Sequence, residues 1–185
     1  MSFQKNCFFL IITCVLVFQA SFAYGRSFID LVSAKINDLP IFELTLDKVT
    51  DLFGKPSVVE PPCVIGERFG AFLHYHDEGL TFVFYHPETD KEQLCKGVYV
   101  YLAKKWNKGV NRFYTPYSGE IRRNVNARWK VKDVIKTFSD CNPRDLNDAR
   151  IQITPPGSRH KVTFEYEGTT KFIEKIAVFL PIKKQ

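Results

Sequence analysis

The spacing of apolar and polar positions changes period along the chain. In Thr45–Pro56, TLDKVTDLFGKP, the residues Leu46, Val49, Leu52 and Phe53 recur at i, i+3, i+6 and i+7. That spacing puts them on one face of a helix. Thr45 is placed to cap the helix, and Asp47 suits its positive end. Gly54 is placed for a left-handed stop, and Pro56 prevents continuation. Two turns are too short to stand alone, so this helix needs a sheet to pack on. Downstream, Ala71–His76 and Leu80–His86 read as the strands of a hairpin turned by Asp77-Glu78-Gly79, and Lys96–Ala103 reads as a third strand. Upstream, Phe28, Leu31, Val32 and Ile36 are helix-spaced after a Ser27 cap and are closed by Pro40, while Ile41–Leu46 reads as a short strand. VVEPPCVIGE, after Pro56, reads as a proline-rich turn.

A second, weaker copy of this order follows. In VKDVIKTFSDCNP, setting Phe138 on Phe53 puts Val134 on Val49 and Val131 on Leu46. VTFEYE (162–167) then resembles LTFVFY (80–85), and FIEKIAVFL (172–180) resembles LCKGVYVYL (94–102). The pattern predicts an α+β protein of two tandem units, each a short helix packed on an antiparallel β-sheet. The expected division is a leader at 1–23, a first unit with an N-terminal helix at 24–103, a basic aromatic-rich connection at 104–128 and a second unit at 129–185.

The motif of a short helix ending in Leu-Phe-Gly-x-Pro, then an aromatic strand, then Gly-Leu-x-Phe-x-Phe, resembles the BamE/OmlA-type envelope lipoproteins. It is also similar to the β-lactamase-inhibitor protein, which carries such a unit in tandem. DKVTDLFGKPS, FLHYHDEGLTFVF and the second copy carry the likeness. It implies a binding or scaffolding module rather than an enzyme.

Residues 1–23 have Lys5, a continuous apolar run from Cys7 to Phe18 apart from Thr13, and small residues at Ser21 and Ala23. This is the pattern of a secretory signal peptide cleaved after Ala23, with the run too short for a membrane span. A secreted or periplasmic location, with no transmembrane segment after cleavage, is the expectation. Three cysteines would remain: Cys63, Cys95 and Cys141. Export permits disulfides. Antiparallel pairing of the expected strands brings Cys63 and Cys95 to the same edge, so a Cys63–Cys95 disulfide is expected, with Cys95–Cys141 or none as alternatives.

Charge adds the most unusual feature. Between Lys104 and Lys136 there are ten basic residues against Glu120 and Asp133, a net of +8 where the whole chain carries +6. Aromatic residues are interleaved. Lys104, Lys105, Trp106, Lys108, Arg112, Tyr114, Tyr117, Arg122, Arg123, Arg128 and Trp129 form the expected binding segment. Cations beside aromatic platforms suit an envelope or secreted protein, an anionic polysaccharide or a lipid headgroup; export argues against nucleic acid. His74 and His76 share one strand face and could offer two metal ligands. His86, expected near Ala71, falls on the other face, so no metal site is expected. No phosphate loop, nucleophile elbow, zinc-type cysteine spacing or cofactor motif appears. The functional expectation is a non-enzymatic exported module that inhibits or scaffolds a protein. The alternatives are an anionic-polymer binder acting through 104–136, and a small metal-dependent enzyme using His74 and His76.

Overall fold

A computed structural model describes residues 27–65, 68–85, 93–147 and 149–181. The expected signal peptide and His86 lie outside the described residues. In chain order the strands are β1 (Phe28–Asp30), β2 (Lys35–Ile36), β3 (Leu39–Pro40), β4 (Val58–Ile65), β5 (Arg68–Tyr75), β6 (Leu80–Tyr85) and β7 (Cys95–Tyr101). They continue as β8 (Lys105–Asn107), β9 (Arg112–Tyr114), β10 (Glu120–Ile121), β11 (Arg144–Asn147), β12 (Arg150–Ile153), β13 (Lys161–Tyr166) and β14 (Ile173–Phe179). Two short α-helices are described, α1 (Leu46–Phe53) and α2 (Val131–Thr137).

The main body is one antiparallel sheet of eight strands in the order β11-β12-β13-β14-β7-β6-β5-β4. This corrects the expectation of two tandem units that each carry a helix on a separate sheet. The reason lies at the seam. A meander ending in β7 or β14 would leave a long apolar strand edge unpaired. Instead β7 and β14 pair with each other, Val98 opposite Val178 and Val100 opposite Ile176, all four fully buried. A single hydrophobic cluster then runs from Ile29 through Val178.

Three local expectations are also corrected. The segment after Ser27 is a hairpin of β1 and β2, with Ile29 opposite Ile36, and not a helix. The Asp30 carboxylate accepts from the backbone N–H of Val32 (2.9 Å) and Ser33 (3.2 Å), which turns the chain before a helix can form. Ile41–Glu43 is a single 3₁₀ turn and not a strand. The proline-rich VVEPPCVI is the edge strand β4, where a missing N–H facing outward is tolerated, and its register with β5 slips between Glu60 and Cys63, across the two prolines.

Helix α1 follows its pattern. Thr45 Oγ1 accepts from Lys48 N (3.3 Å), Gly54 takes φ +73°, and Val49 and Phe53 are buried. Phe53 packs on Phe82 (5.4 Å between centroids), and Phe138, just past α2, packs on Phe164 (5.6 Å). Both helices are tied to the sheet in the same way. Cys95 N donates to Leu44 O (2.8 Å), and Ile173 N donates to Trp129 O (3.0 Å). The helices and the small sheet β10-β1-β2-β3 share the core with one face of the main sheet. The other face carries the ribbon β8–β9.

The expected Cys63–Cys95 disulfide is corrected as well. β5 and β6 lie between β4 and β7. Three strand spacings of about 4.8 Å put the two backbones well beyond the ~7 Å limit for a disulfide. Cys95 is a buried free thiol that donates to Gly97 O (3.1 Å), and burial pushes it up to about 12. Cys141 is also a buried free thiol, which corrects the Cys95–Cys141 alternative.

Candidate functional site: a ribbon-covered cleft

The ribbon begins directly after the main strand β7 and folds back over its sheet. Lys105 pairs with Tyr114, Trp106 with Phe113 and Asn107 with Arg112. Alternation along these strands turns Tyr114 toward the sheet and leaves Phe113 outward. Tyr114 is buried and acts as a peg. Its ring stacks on Tyr101 (3.8 Å between centroids) and on His76 (4.4 Å). Thr115 N donates to His76 O (2.8 Å), and Tyr117 N donates to Tyr101 O (2.7 Å). Arg112 donates to both Asp77 oxygens at 2.9 Å. Gly79 makes the close approach possible: it sits at φ +65°, and a Cβ there would lie 2.5 Å from Thr115 O.

Under the ribbon, His74 and His76 are 4% and 0% exposed, so they are not solvent-face residues. His74 Nδ1 contacts Thr81 Oγ1 (3.0 Å) and the Tyr114 hydroxyl. Tyr114 OH also contacts Thr81 Oγ1 (2.8 Å) and accepts from Asn107 Nδ2 (3.3 Å). On its other side, His74 Nε2 lies 3.2 Å from Glu60 Oε1 without the alignment of a hydrogen bond. Hydroxyl donors at Nδ1 and a carboxylate beside Nε2 favour the tautomer protonated at Nε2. Burial holds His74 below the usual imidazole value, against the pull of Glu60. His76 is lowered by burial first, then by His74 and Arg112. Among the described residues neither His76 ring nitrogen has a hydrogen-bond partner. The rings of the two histidines are 5.5 Å apart, and among the described residues no group of three candidate metal ligands assembles.

Beside this buried cluster a cleft of about 250 Å³ opens between ribbon and sheet. Its floor is Glu60, Phe72, His74 and Thr81, and one wall is Tyr99, Tyr101 and Lys175. The ribbon supplies Lys105, Trp106, Asn107, Lys108 and Tyr114. Of the expected binding segment, Lys105, Trp106, Lys108 and Tyr114 therefore meet at one cleft. Arg112 is on the ribbon, held by Asp77. Lys104 sits over the Phe113 ring at 4.6 Å.

The remaining residues of that segment lie elsewhere. Tyr117 OH donates to Ser27 O (2.7 Å), and burial pushes the phenol up to about 12. Arg122 reaches the buried Asp30 (2.6 Å). Burial raises the Asp30 carboxyl, but the hydrogen bonds from Ser33, Arg122 and Val32 outweigh it and hold it below the usual range. Arg123 binds Thr137 O (2.7 Å) at the end of α2 and both oxygens of Asp140 (3.0 Å each) just past it, and holds Asp140 down at about 2. Trp129 packs against the core, and Arg128 is exposed. Sequence reasoning missed Glu60, Thr81 and Lys175. They come from β4, β6 and β14, strands that only the sheet brings together.

No family model matches the sequence, and no curated protein matches it. Two solved structures are similar in outline. One is a DUF4309 family protein (YjgB) from Bacillus subtilis, at 15% identity and a TM-score of 0.44, covering 78% of this chain and 84% of that one. The other is an extracellular protein containing an SCP domain from Bacillus anthracis, at 10% identity and a TM-score of 0.48. It covers 75% of this chain and 44% of that one, so the match spans less than half of the second protein. No helix among the described residues is long and apolar enough to cross a membrane.

Proposed function

We propose that this is an exported, non-enzymatic binding module that recognises an envelope or secreted protein as an inhibitor or scaffold. The observation that carries this reading is the outer side of the ribbon. Trp106 and Phe113 are 41% and 48% exposed, and their rings are 4.5 Å apart. The strands beneath them are held by the Tyr114 peg and the Arg112–Asp77 pair. Large aromatic side chains on a preorganised support suit a protein contact, because little entropy remains to be lost on binding. The export pattern of residues 1–23 supplies the compartment, and the resemblance to envelope binding modules agrees with the role.

The polyanion reading is less well supported. Lys105, Arg112, Arg122 and Arg123 are each paired with a carboxylate from outside the basic segment. They serve as ties between the connection and the rest of the protein rather than as one continuous cationic surface.

Affinity capture with residues 24–185, from envelope extract and culture medium, tests the proposal. One protein partner retained through a high-salt wash is expected. Trp106→Ala with Phe113→Ala should weaken that contact by about 2 kcal/mol, as for interface hot spots. Retention of acidic polymers alone, lost at high salt, would overturn it.

A further inference from the structure

We infer that the ribbon β8–β9 is an acid-sensitive latch: protonation of His76 beneath it lifts the ribbon from the sheet while the rest of the fold stays in place. The hold of the ribbon is concentrated at one side chain. Tyr114 stacks on His76 and on Tyr101, and its hydroxyl meets Thr81 and His74. Two backbone bonds follow directly, from Thr115 N to His76 O and from Tyr117 N to Tyr101 O. The ion pairs Arg112–Asp77 and Lys105–Glu174 also join ribbon and sheet, but they lie at the surface, where such pairs are weak.

His76 makes this arrangement sensitive to acid. It is fully buried under Tyr114, and among the described residues neither ring nitrogen has a partner. A charged imidazole carries two N–H donors and needs acceptors for both. The titratable and charged groups around it do not supply them. On the same strand, the ring of His74 lies 5.5 Å away. In the turn after β5, both oxygens of Asp77 accept from Arg112 of β9. The Arg112 charge itself opposes a second cation. Glu60, on β4, lies beside His74 Nε2 at 3.2 Å. Tyr114, on β9, presents a phenol that burial keeps protonated. A charged His76 is therefore better accommodated where water reaches it, and water reaches it when Tyr114 leaves its face. His74 is not the trigger. A charged His74 would have Glu60 beside Nε2 and the hydroxyl oxygens of Thr81 and Tyr114 at Nδ1.

The direction of the effect follows by linkage. Under the closed ribbon, burial, His74 and Arg112 hold His76 below its ordinary value of 6.5, against the pull of Asp77 and Glu60. Under the open ribbon the hydrated ring returns to that ordinary value. The latch is fully held above it and loosens as the pH falls toward the closed-state value, by at most about tenfold in the opening equilibrium per pH unit. Trp106 and Phe113 ride on the ribbon, so acid would also withdraw the support of that pair. This last consequence rests on the protein-partner reading; the opening itself does not.

Amide hydrogen exchange of residues 24–185 at about pH 7.5 and about pH 5.5, corrected for intrinsic rates, tests the latch. Protection of the Thr115 and Tyr117 N–H groups should fall roughly tenfold between the two. At the lower pH both should exchange before the N–H groups of Cys95 and Ile173, which bond to Leu44 O and Trp129 O at the helices. His76→Phe keeps an aromatic ring against Tyr114 and removes the proton site, so the fall at Thr115 and Tyr117 should vanish. If that variant does not fold, the His76 ring carbons of the unmodified chain supply the second reading. Their NMR titration should run together with the loss of Thr115 protection. Equal protection of Thr115 and Tyr117 at both pH values would overturn the inference. So would one common exchange rate for all four amides, which marks global unfolding, or an undiminished fall in His76→Phe. A His76 titration that completes while Thr115 stays protected would overturn it too. No partner is needed for any of these readings, so failure of the latch and failure of the capture experiment are seen separately.

Discussion

His76 is a residue whose surroundings predict a measurable pH effect. It is fully buried against Tyr114 with neither ring nitrogen bonded among the described residues, and His74 and His160 are also buried and lowered. The groups facing His76 are His74, Arg112, Asp77 and Glu60. A histidine lowered in the folded state takes up protons on unfolding once the pH falls below its usual value of 6.5. Stability is therefore fully present above that value and is lost as the pH drops toward the folded-state value. The slope is at most about 1.4 kcal/mol per pH unit for each such histidine. Urea melts at about pH 7 and about pH 5 should show this loss. His76→Phe keeps the stacking and removes the titrating nitrogens, so it should flatten the acid slope. An unchanged slope would show that His76 is not the source.

Turns and caps make their contributions at the scale of elements. Thr45 caps α1 through a single hydrogen bond, and Thr45→Ala should cost about 1 kcal/mol in a urea melt. Gly79→Ala should cost more, roughly 1–3 kcal/mol for the strained φ, and it should also push the ribbon off the sheet. A red-shifted Trp106 emission in a Trp129→Phe background would report that movement. The cap at Thr45 was legible because its partner is three residues away. The role of Gly79 was not, since its side-chain space is filled by Thr115 and Tyr117 across the fold. The edge strand β4 was hidden for a similar reason: Pro61 and Pro62 look like a turn until the strand is known to have a free side.

At the scale of the whole molecule, the seam between β7 and β14 decides cooperativity. The buried Val98, Val100, Ile176 and Val178 join both meanders into one core. Unfolding should be a single transition, with Trp106 and Trp129 reporting coincident midpoints in single-tryptophan variants. Two separated transitions would show that the halves melt independently. Neither residues 24–103 nor 129–185 should give a dispersed NMR spectrum alone, because each fragment exposes one apolar edge of the seam.

What the amino-acid order determined by itself is local. The period of apolar residues defines α1, α2 and the strands around Phe72, Phe82 and Tyr99, with caps legible at α1, since helical and extended periodicities are set by near neighbours. The aromatic and basic richness of 104–136 marks a segment of interest for the same reason. Tertiary structure alone decided how many sheets there are, which of the ten cations are tied to carboxylates, and that His74 meets Tyr114 from forty residues away. Strand pairing and ion pairing join residues far apart in the chain. Which edges and charges meet depends on burying the whole core at once, and no local pattern encodes that choice.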